Sequence, residues 1–289
     1  MPLEIEETAQ PLGAEVKGLD PTVTLNEEDL RRLKEAFDRR GVLVFRDLDI
    51  DQGFQAQLSE QLIGVEPGRG GSGESEVRES YISNRKAGAA APYGRLQFHS
   101  DTMWAKEPLQ VLSLYGLDVG APVAPTTFAS TIFAWKALSD DLRSRVSDLK
   151  AVHSAGQHKQ FEDDDLIAAV PERPKSTTTP IGLRHPRTDE TMLYVCEQMT
   201  HEILNVSPEE SQELLESLFG YLYNPENLFH HDWRNHDLVI WDNLAVQHAR
   251  PNVAQDGPAR TLRKFVSPLE GIAMEERAFN YSPVPAGGS

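Results

Sequence analysis

The chain has 289 residues, 39% of them hydrophobic and 25% charged, with a formal net charge of −17 at pH 7. That is ordinary globular composition with length enough for a large core. The acid excess argues against nucleic acid or an anionic membrane surface as a partner, because phosphate neutralisation needs clustered Lys and Arg.

No apolar run is long enough for a transmembrane helix. The N-terminus, Met-Pro-Leu-Glu-Ile-Glu-Glu, lacks the basic and apolar regions of a secretory signal. Cys196 has no second cysteine to pair with, which rules out an internal disulfide framework. A cytoplasmic compartment is the expectation.

Residues 1–23 alternate in short stretches punctuated by Gly13, Gly18 and Pro21, and predict one or two edge strands. A helix follows, started by a Thr24/Glu27 capping box or by Asn26 directly, striped by Leu30, Leu33, Ala36 and Phe37, and ended by Gly41. Val42–Phe45 reads as a buried strand and 51–63 as a second helix with Phe54, Leu58 and Leu62 on one face. Residues 66–95 are Gly-rich and irregular, and predict a mobile loop or lid.

From residue 96 the pattern is mostly strands: 96–101, 110–117, 127–129, 151–154, 192–195, 237–241 and 262–266. Helices over 130–148 and 207–223 interrupt them, the second opened by Ser207-Pro208-Glu209-Glu210. This predicts a mainly β fold with helical insertions, an antiparallel barrel or jelly roll, rather than a parallel α/β sheet. One domain spans 1–277, and 278–289 reads as a flexible tail.

The densest polar spot in an apolar strand is Leu96-Gln97-Phe98-His99-Ser100-Asp101. Residues two apart on a strand share a face, so His99 and Asp101 present an imidazole and a carboxylate together. His248, after the apolar run 238–241, is the best third ligand. Two histidines and one carboxylate leave three adjacent positions open on an octahedral ion, which suits Fe(II) binding a bidentate co-substrate and O2. A tetrahedral zinc site is chemically open to the same ligands. Downstream, Arg260 can grip a carboxylate bidentately, and the Thr126 hydroxyl can join it. Alternation puts Arg260, Leu262 and Lys264 on one side and Arg263 on the other, so Lys264 is expected to face the cavity and an anionic substrate group.

These residues carry a resemblance. Phe98-His99-Ser100-Asp101 is similar to the W-H-x-D element of the taurine dioxygenase (TauD/TfdA) family. Trp241-Asp242-Asn243-Leu244-Ala245-Val246-Gln247-His248 is similar to its W-D-N-R-x-x-x-H element, and Pro125–Ser130 to its G-D-T-x-W/F-x-S segment. The likeness extends from Gly13 to Val266. It implies a double-stranded β-helix (jelly roll, cupin-like) and Fe(II) ligation by His99, Asp101 and His248. It implies that Arg260 and Thr126 hold the distal carboxylate of 2-oxoglutarate. The activity it implies is O2-dependent hydroxylation of a small molecule with release of succinate and CO2, with C–O, C–N or C–S cleavage where the hydroxylated carbon bears a leaving group. It also implies a homo-oligomer, dimer or tetramer. The chain departs from the pattern at Val123-Ala124-Pro125, at Leu244 and at Lys264, where taurine-type enzymes carry a second Arg.

Competing readings exist for other residues. A cupin-like metal sensor without turnover, or a zinc hydrolase, would use the same triad, but neither has a use for Arg260. Gly68–Gly73 satisfies G-x-G-x-x-G without the flanking strand and helix of a dinucleotide site. His230 and His231 are expected to face opposite sides of a strand. Tyr81, Ser83, Asn84, Met103 and Trp104 flank the metal motif, and Tyr81 and Asn84 are candidate substrate contacts. Trp241 is expected in the core, with Asp242 and Asn243 satisfying backbone groups at the turn before His248.

Overall fold

The computed structural model describes residues 2–65, 80–105, 108–154, 176–268 and 280–281. The 66–79 portion of the expected lid, with its glycine motif, and His158 lie outside the described residues. In chain order the elements begin with β1 (Glu4–Glu7), β2 (Ala14–Lys17), α1 (Glu27–Arg40), β3 (Val42–Phe45) and α2 (Gln52–Leu62). The central strands are β4 (Ser80–Ser83), β5 (Gly94–His99), β6 (Leu109–Val119) and β7 (Thr126–Ser130). Then come α3 (Thr131–Ala137), α4 (Asp140–Val146), β8 (Lys150–Ser154), β9 (Ser176–Pro180), β10 (Gly182–Arg184), β11 (Thr191–Leu193) and β12 (Thr200–Ile203). The chain continues through α5 (Pro208–Leu222), β13 (Leu228–His231), β14 (Leu238–Asp242), β15 (Val246–Val253), β16 (Arg260–Pro268) and β17 (Asn280–Tyr281).

Two sheets make the body of the fold. One has seven strands in the order β1-β2-β3-β14-β6-β16-β4, and the other four in the order β13-β7-β15-β5. The strand pairings are antiparallel except β2 with β3; β2 is paired on both sides, so of the two N-terminal strands only β1 is an edge, and β4 is the edge at the far end. Between the sheets, Val239 and Trp241 of β14, Leu112 and Leu114 of β6 and Leu262 of β16 pack with Phe128 of β7 and Val246 of β15. Intervening residues point the other way: Leu238, Ile240, Val111 and Leu43 pack beneath Phe37 of α1 and Leu58 of α2. The large sheet is therefore buried on both faces, which explains why β3 and β14 read as continuous apolar runs rather than as alternation.

The helix ends follow their cap chemistry. Asn26, not the Thr24 box, starts α1, its side chain accepting from the Asp29 N–H at 2.8 Å, and Gly41 closes it in the left-handed conformation. Asp51 caps α2 and Ser207 caps α5. The single helix expected over 130–148 is two, because Leu138 turns extended and Ser139 starts a new helix with Asp140 and Asp141 in its first turn. Part of the stretch expected as a lid is sheet: β4 pairs with β16, and β5 begins at Gly94. Likewise Asn280–Tyr281, inside the expected tail, pairs with β9. Among the described residues no helix is long and apolar enough to cross a membrane.

Candidate active site

His99 closes β5 and lies opposite His248 of β15 in the ladder, with ring centroids 4.2 Å apart. Facing residues of an antiparallel pair share a side of the sheet, so both imidazoles enter the space between the sheets. Asp101 does not arrive by strand alternation as expected. β5 ends at His99, and Asp101 stands in the turn beyond it. Asn243, in the turn after β14, brings it in: its side-chain oxygen accepts from the Asp101 N–H at 2.9 Å and its amide donates to the Asp101 and Leu109 carbonyls at 2.9 and 3.0 Å. The Asn of one motif thus clamps the Asp of the other.

The His99 Nδ1 is 2.7 Å from the Gln97 carbonyl, which can only accept, so Nδ1 carries the proton and Nε2 a lone pair. That Nε2 lies 3.2 Å from Asp101 Oδ1, and His248 Nε2 lies 3.8 Å from the same oxygen. One ligand atom from each of the three falls within 4.8 Å of the others. Lone pairs this close repel unless a cation stands among them, and the N,N,O donor set fits a first-row divalent ion such as Fe(II). The other carboxylate oxygen, Oδ2, is ion-paired with Lys264, which leaves Oδ1 alone facing the imidazoles. Burial raises the Asp101 pKa, but the Lys264 ammonium beside it outweighs this and holds the carboxyl well below its usual value. Burial, with His99 beside it, pushes His248 well down, so its ring is neutral and fit to ligate.

Arg260 opens β16 at 4% exposure. Its guanidinium is 3.3 Å from Thr126 Oγ1 and has no carboxylate partner among the described residues. Burial, and Arg250 nearby, push it down to about 9, still cationic at neutral pH. Thr126 Oγ1 also accepts from the Trp233 indole N–H at 2.9 Å. Both Arg260 and Thr126 line a cavity of about 350 Å³ that also takes in His99, Asp101, His248 and Lys264.

Lys264 faces this cavity as alternation required, and Arg263 points away to Gln55 Oε1 at 2.8 Å and the Ile50 carbonyl at 3.0 Å. Two candidate substrate contacts are corrected. Ile82, not Tyr81, lines the cavity, because adjacent strand residues face opposite sides, and Lys86 Nζ stacks on the Tyr81 ring instead. Asn84 serves the backbone: its amide donates to the Ala254 and Pro258 carbonyls, and its oxygen accepts from the Arg260 N–H at 2.9 Å. Ser83 is buried against Thr261, and Met103 belongs to the inter-sheet core.

The W-D-N motif is structural, as expected. Trp241 is fully buried with its ring 4.9 Å from that of His248. Asp242 accepts from the Leu244 and Ala245 N–H groups, and its other oxygen meets Arg187 and His185. Buried His231 and exposed His230 divide as the strand predicts. Two site residues were missed. Arg250, two residues past His248 on β15, also lines the cavity and donates to the Ala91, Tyr93 and Gly94 carbonyls. The spacing from His248 was the available signal. Trp233 lies in the loop between β13 and β14, where no periodicity marks it.

The model of the taurine catabolism dioxygenase TauD, TfdA family matches residues 4–265. Pentalenolactone F synthase of Streptomyces arenae is 26% identical, covering 93% of this chain and 96% of its own. The (S)-phenoxypropionate/alpha-ketoglutarate-dioxygenase of Sphingobium herbicidovorans is 29% identical over 54% of this chain and 56% of its own. A taurine dioxygenase structure from Burkholderia xenovorans shares the jelly-roll fold with a TM-score of 0.73 and 24% identity, covering 98% of this chain and 96% of that one. Nothing among these relatives supports the non-catalytic sensor. The chain belongs to the TauD/TfdA family and is an Fe(II)- and 2-oxoglutarate-dependent dioxygenase acting on a small molecule.

Proposed function

We propose that His99, Asp101 and His248 hold the Fe(II), that Arg260 and Thr126 receive the distal carboxylate of 2-oxoglutarate, and that the prime substrate is a small acid with an apolar body, met by Lys264. The charge of the cavity carries the substrate class. Arg250, Arg260 and Lys264 line it against the one carboxylate of Asp101. Fe(II) and dianionic 2-oxoglutarate cancel each other, so three cations less one carboxylate leave an excess of two positive charges. A buried excess of this kind favours an anionic partner. Lys264 has three N–H donors, and among the described residues only Asp101 takes one, which leaves two for an anion. Leu96, Leu112, Leu114 and Ile82 supply the apolar walls. The phenoxypropionate named for one relative is an acid of this kind.

The metal supplies the O2 chemistry, in which 2-oxoglutarate gives succinate and CO2 as a substrate carbon is hydroxylated. The chain's own part is placement. Arg260 and Thr126 fix one end of the co-substrate, Asp101 offers a single oxygen to the metal, and Lys264 draws the substrate anion beside it. The buried free thiol of Cys196 suits a reducing, cytoplasmic setting.

The test is substrate-dependent succinate release with paired carboxylates or sulfonates and their neutral esters or amides. Only the acids should couple. Lys264→Met should raise the KM of the coupling acid about tenfold, the worth of one charge-assisted hydrogen bond, and leave that of 2-oxoglutarate little changed. Equal turnover of neutral analogues, or equal rises in both KM values, would overturn the reading.

A further inference from the structure

We infer that Trp233 is a positioning residue that turns the Thr126 hydroxyl into an obligate donor toward the distal carboxylate of 2-oxoglutarate, an inference that rests on the Arg260–Thr126 reading above. A threonine hydroxyl has one proton and two lone pairs. At Thr126 Oγ1 both lone pairs are engaged, by the Trp233 indole N–H at 2.9 Å and by an Arg260 guanidinium N–H at 3.3 Å. Indole and guanidinium N–H groups only donate, so neither can take the hydroxyl proton. Among the described residues the hydroxyl makes no hydrogen bond to an acceptor. Thr126 is 3% exposed and lines the cavity, so the acceptor must come from what the cavity holds.

The mount of the indole is rigid. Trp233 is 3% exposed, and its ring stands edge-on to His231 with centroids 4.6 Å apart and planes at 83°. His231 is the ladder partner of Thr126 between β13 and β7, so the chain returns the indole over that residue two positions later. His231 in turn lies 3.2 Å from Asp237, which Arg46 holds at 2.6 Å. Without the indole N–H, a hydroxyl lone pair would be free to turn toward the incoming carboxylate. With it, only the proton can. Trp233 thereby makes the subsite one that accepts an acceptor and rejects a donor.

The test is binding to the Mn(II)-loaded protein, measured by calorimetry with N-oxalylglycine, which has the distal carboxylate, and with 2-oxopentanoate, which lacks it. Trp233→Phe should weaken N-oxalylglycine about fivefold, as expected when the hydrogen bond that orients a neutral hydroxyl is lost, and leave 2-oxopentanoate within about twofold. In a Thr126→Val background the same change should add nothing. Replacing Trp233 with 3-benzothienylalanine, which keeps the shape and swaps the N–H for sulfur, should reproduce the effect and covers a poorly folding Trp233→Phe. Equal loss for both ligands, or a penalty that persists beside Thr126→Val, would overturn the inference. If Thr126→Val and Arg260→Met themselves fail to discriminate the two ligands, the distal-carboxylate reading falls; if they discriminate and the Trp233 changes do not, only the Trp233 inference falls.

Discussion

At the scale of single residues, the metal site depends on a side chain that touches no ligand atom. Asn243 satisfies the Asp101 N–H and carbonyl together, and the Leu109 carbonyl with them. The two Asp101 groups sit where β5 has ended, so no ladder partner replaces the amide there. An alanine there would leave them unmet, at about 1–3 kcal/mol for each that stays buried. Asn243→Asp would keep the acceptor but set an oxygen against two carbonyl oxygens. Both variants should lose about 10- to 100-fold in Fe(II) or Co(II) affinity, the usual cost of removing an outer support. Titration calorimetry beside a thermal melt separates the effects. A lower Tm with unchanged metal affinity would mean that Asn243 supports the fold and not Asp101.

At the scale of elements, β15 reaches across to a loop through Arg250. His248 and Arg250 share a face of the strand, and the guanidinium gathers the carbonyls of Ala91, Tyr93 and Gly94 at 2.8–3.0 Å. Ala90, Ala91 and Pro92 are cavity wall, so one side chain ties that wall to the strand of a metal ligand. Arg250→Met should speed amide exchange across 91–94 and raise substrate KM more than the KM for 2-oxoglutarate; hydrogen–deuterium exchange mass spectrometry reads the first effect. Unchanged exchange there would show that the wall holds itself. The strand β14, the caps Asn26 and Ser207, and the meeting of His99 with His248 were legible because apolar runs, cap chemistry and metal-ligand types are local signals. β4, β9, β12 and the break at Leu138 were not, because short polar strands such as Ser-Thr-Thr-Thr-Pro owe their state to partners far along the chain. Asn84 was misread for the same reason: its neighbours Ala254 and Pro258 are distant in sequence, and proximity to the metal motif is no guide to where a side chain points.

At the scale of the whole molecule, folding stability should carry an acid-side signature from buried histidine. His153 of β8 sits between the Thr200 hydroxyl of β12 at 3.0 Å and the Thr179 hydroxyl of β9 at 2.8 Å, with the Tyr194 ring edge-on. Burial, and His201 beside it, push its pKa down to about 3. The unfolded value is about 6.5, so between those limits the unfolded chain holds a proton that the folded one refuses. The group's contribution is therefore whole above pH 6.5 and falls by about 1.4 kcal/mol for each pH unit below it. Asp242, whose carboxyl is also held down, begins to cost stability only near the carboxylate range of about pH 4. His231 and His248 are lowered too and steepen the wild-type slope, so the informative quantity is a difference. His153→Gln, whose amide can both donate to one threonine and accept from the other, removes the titration while keeping the bridge. From pH 7 to pH 5 the wild type should lose about 2 kcal/mol more than this variant in urea unfolding. Parallel curves would mean that His153 takes up its proton in the folded state, and that the sheet of β12, β8 and β9 opens to water more readily than its burial implies.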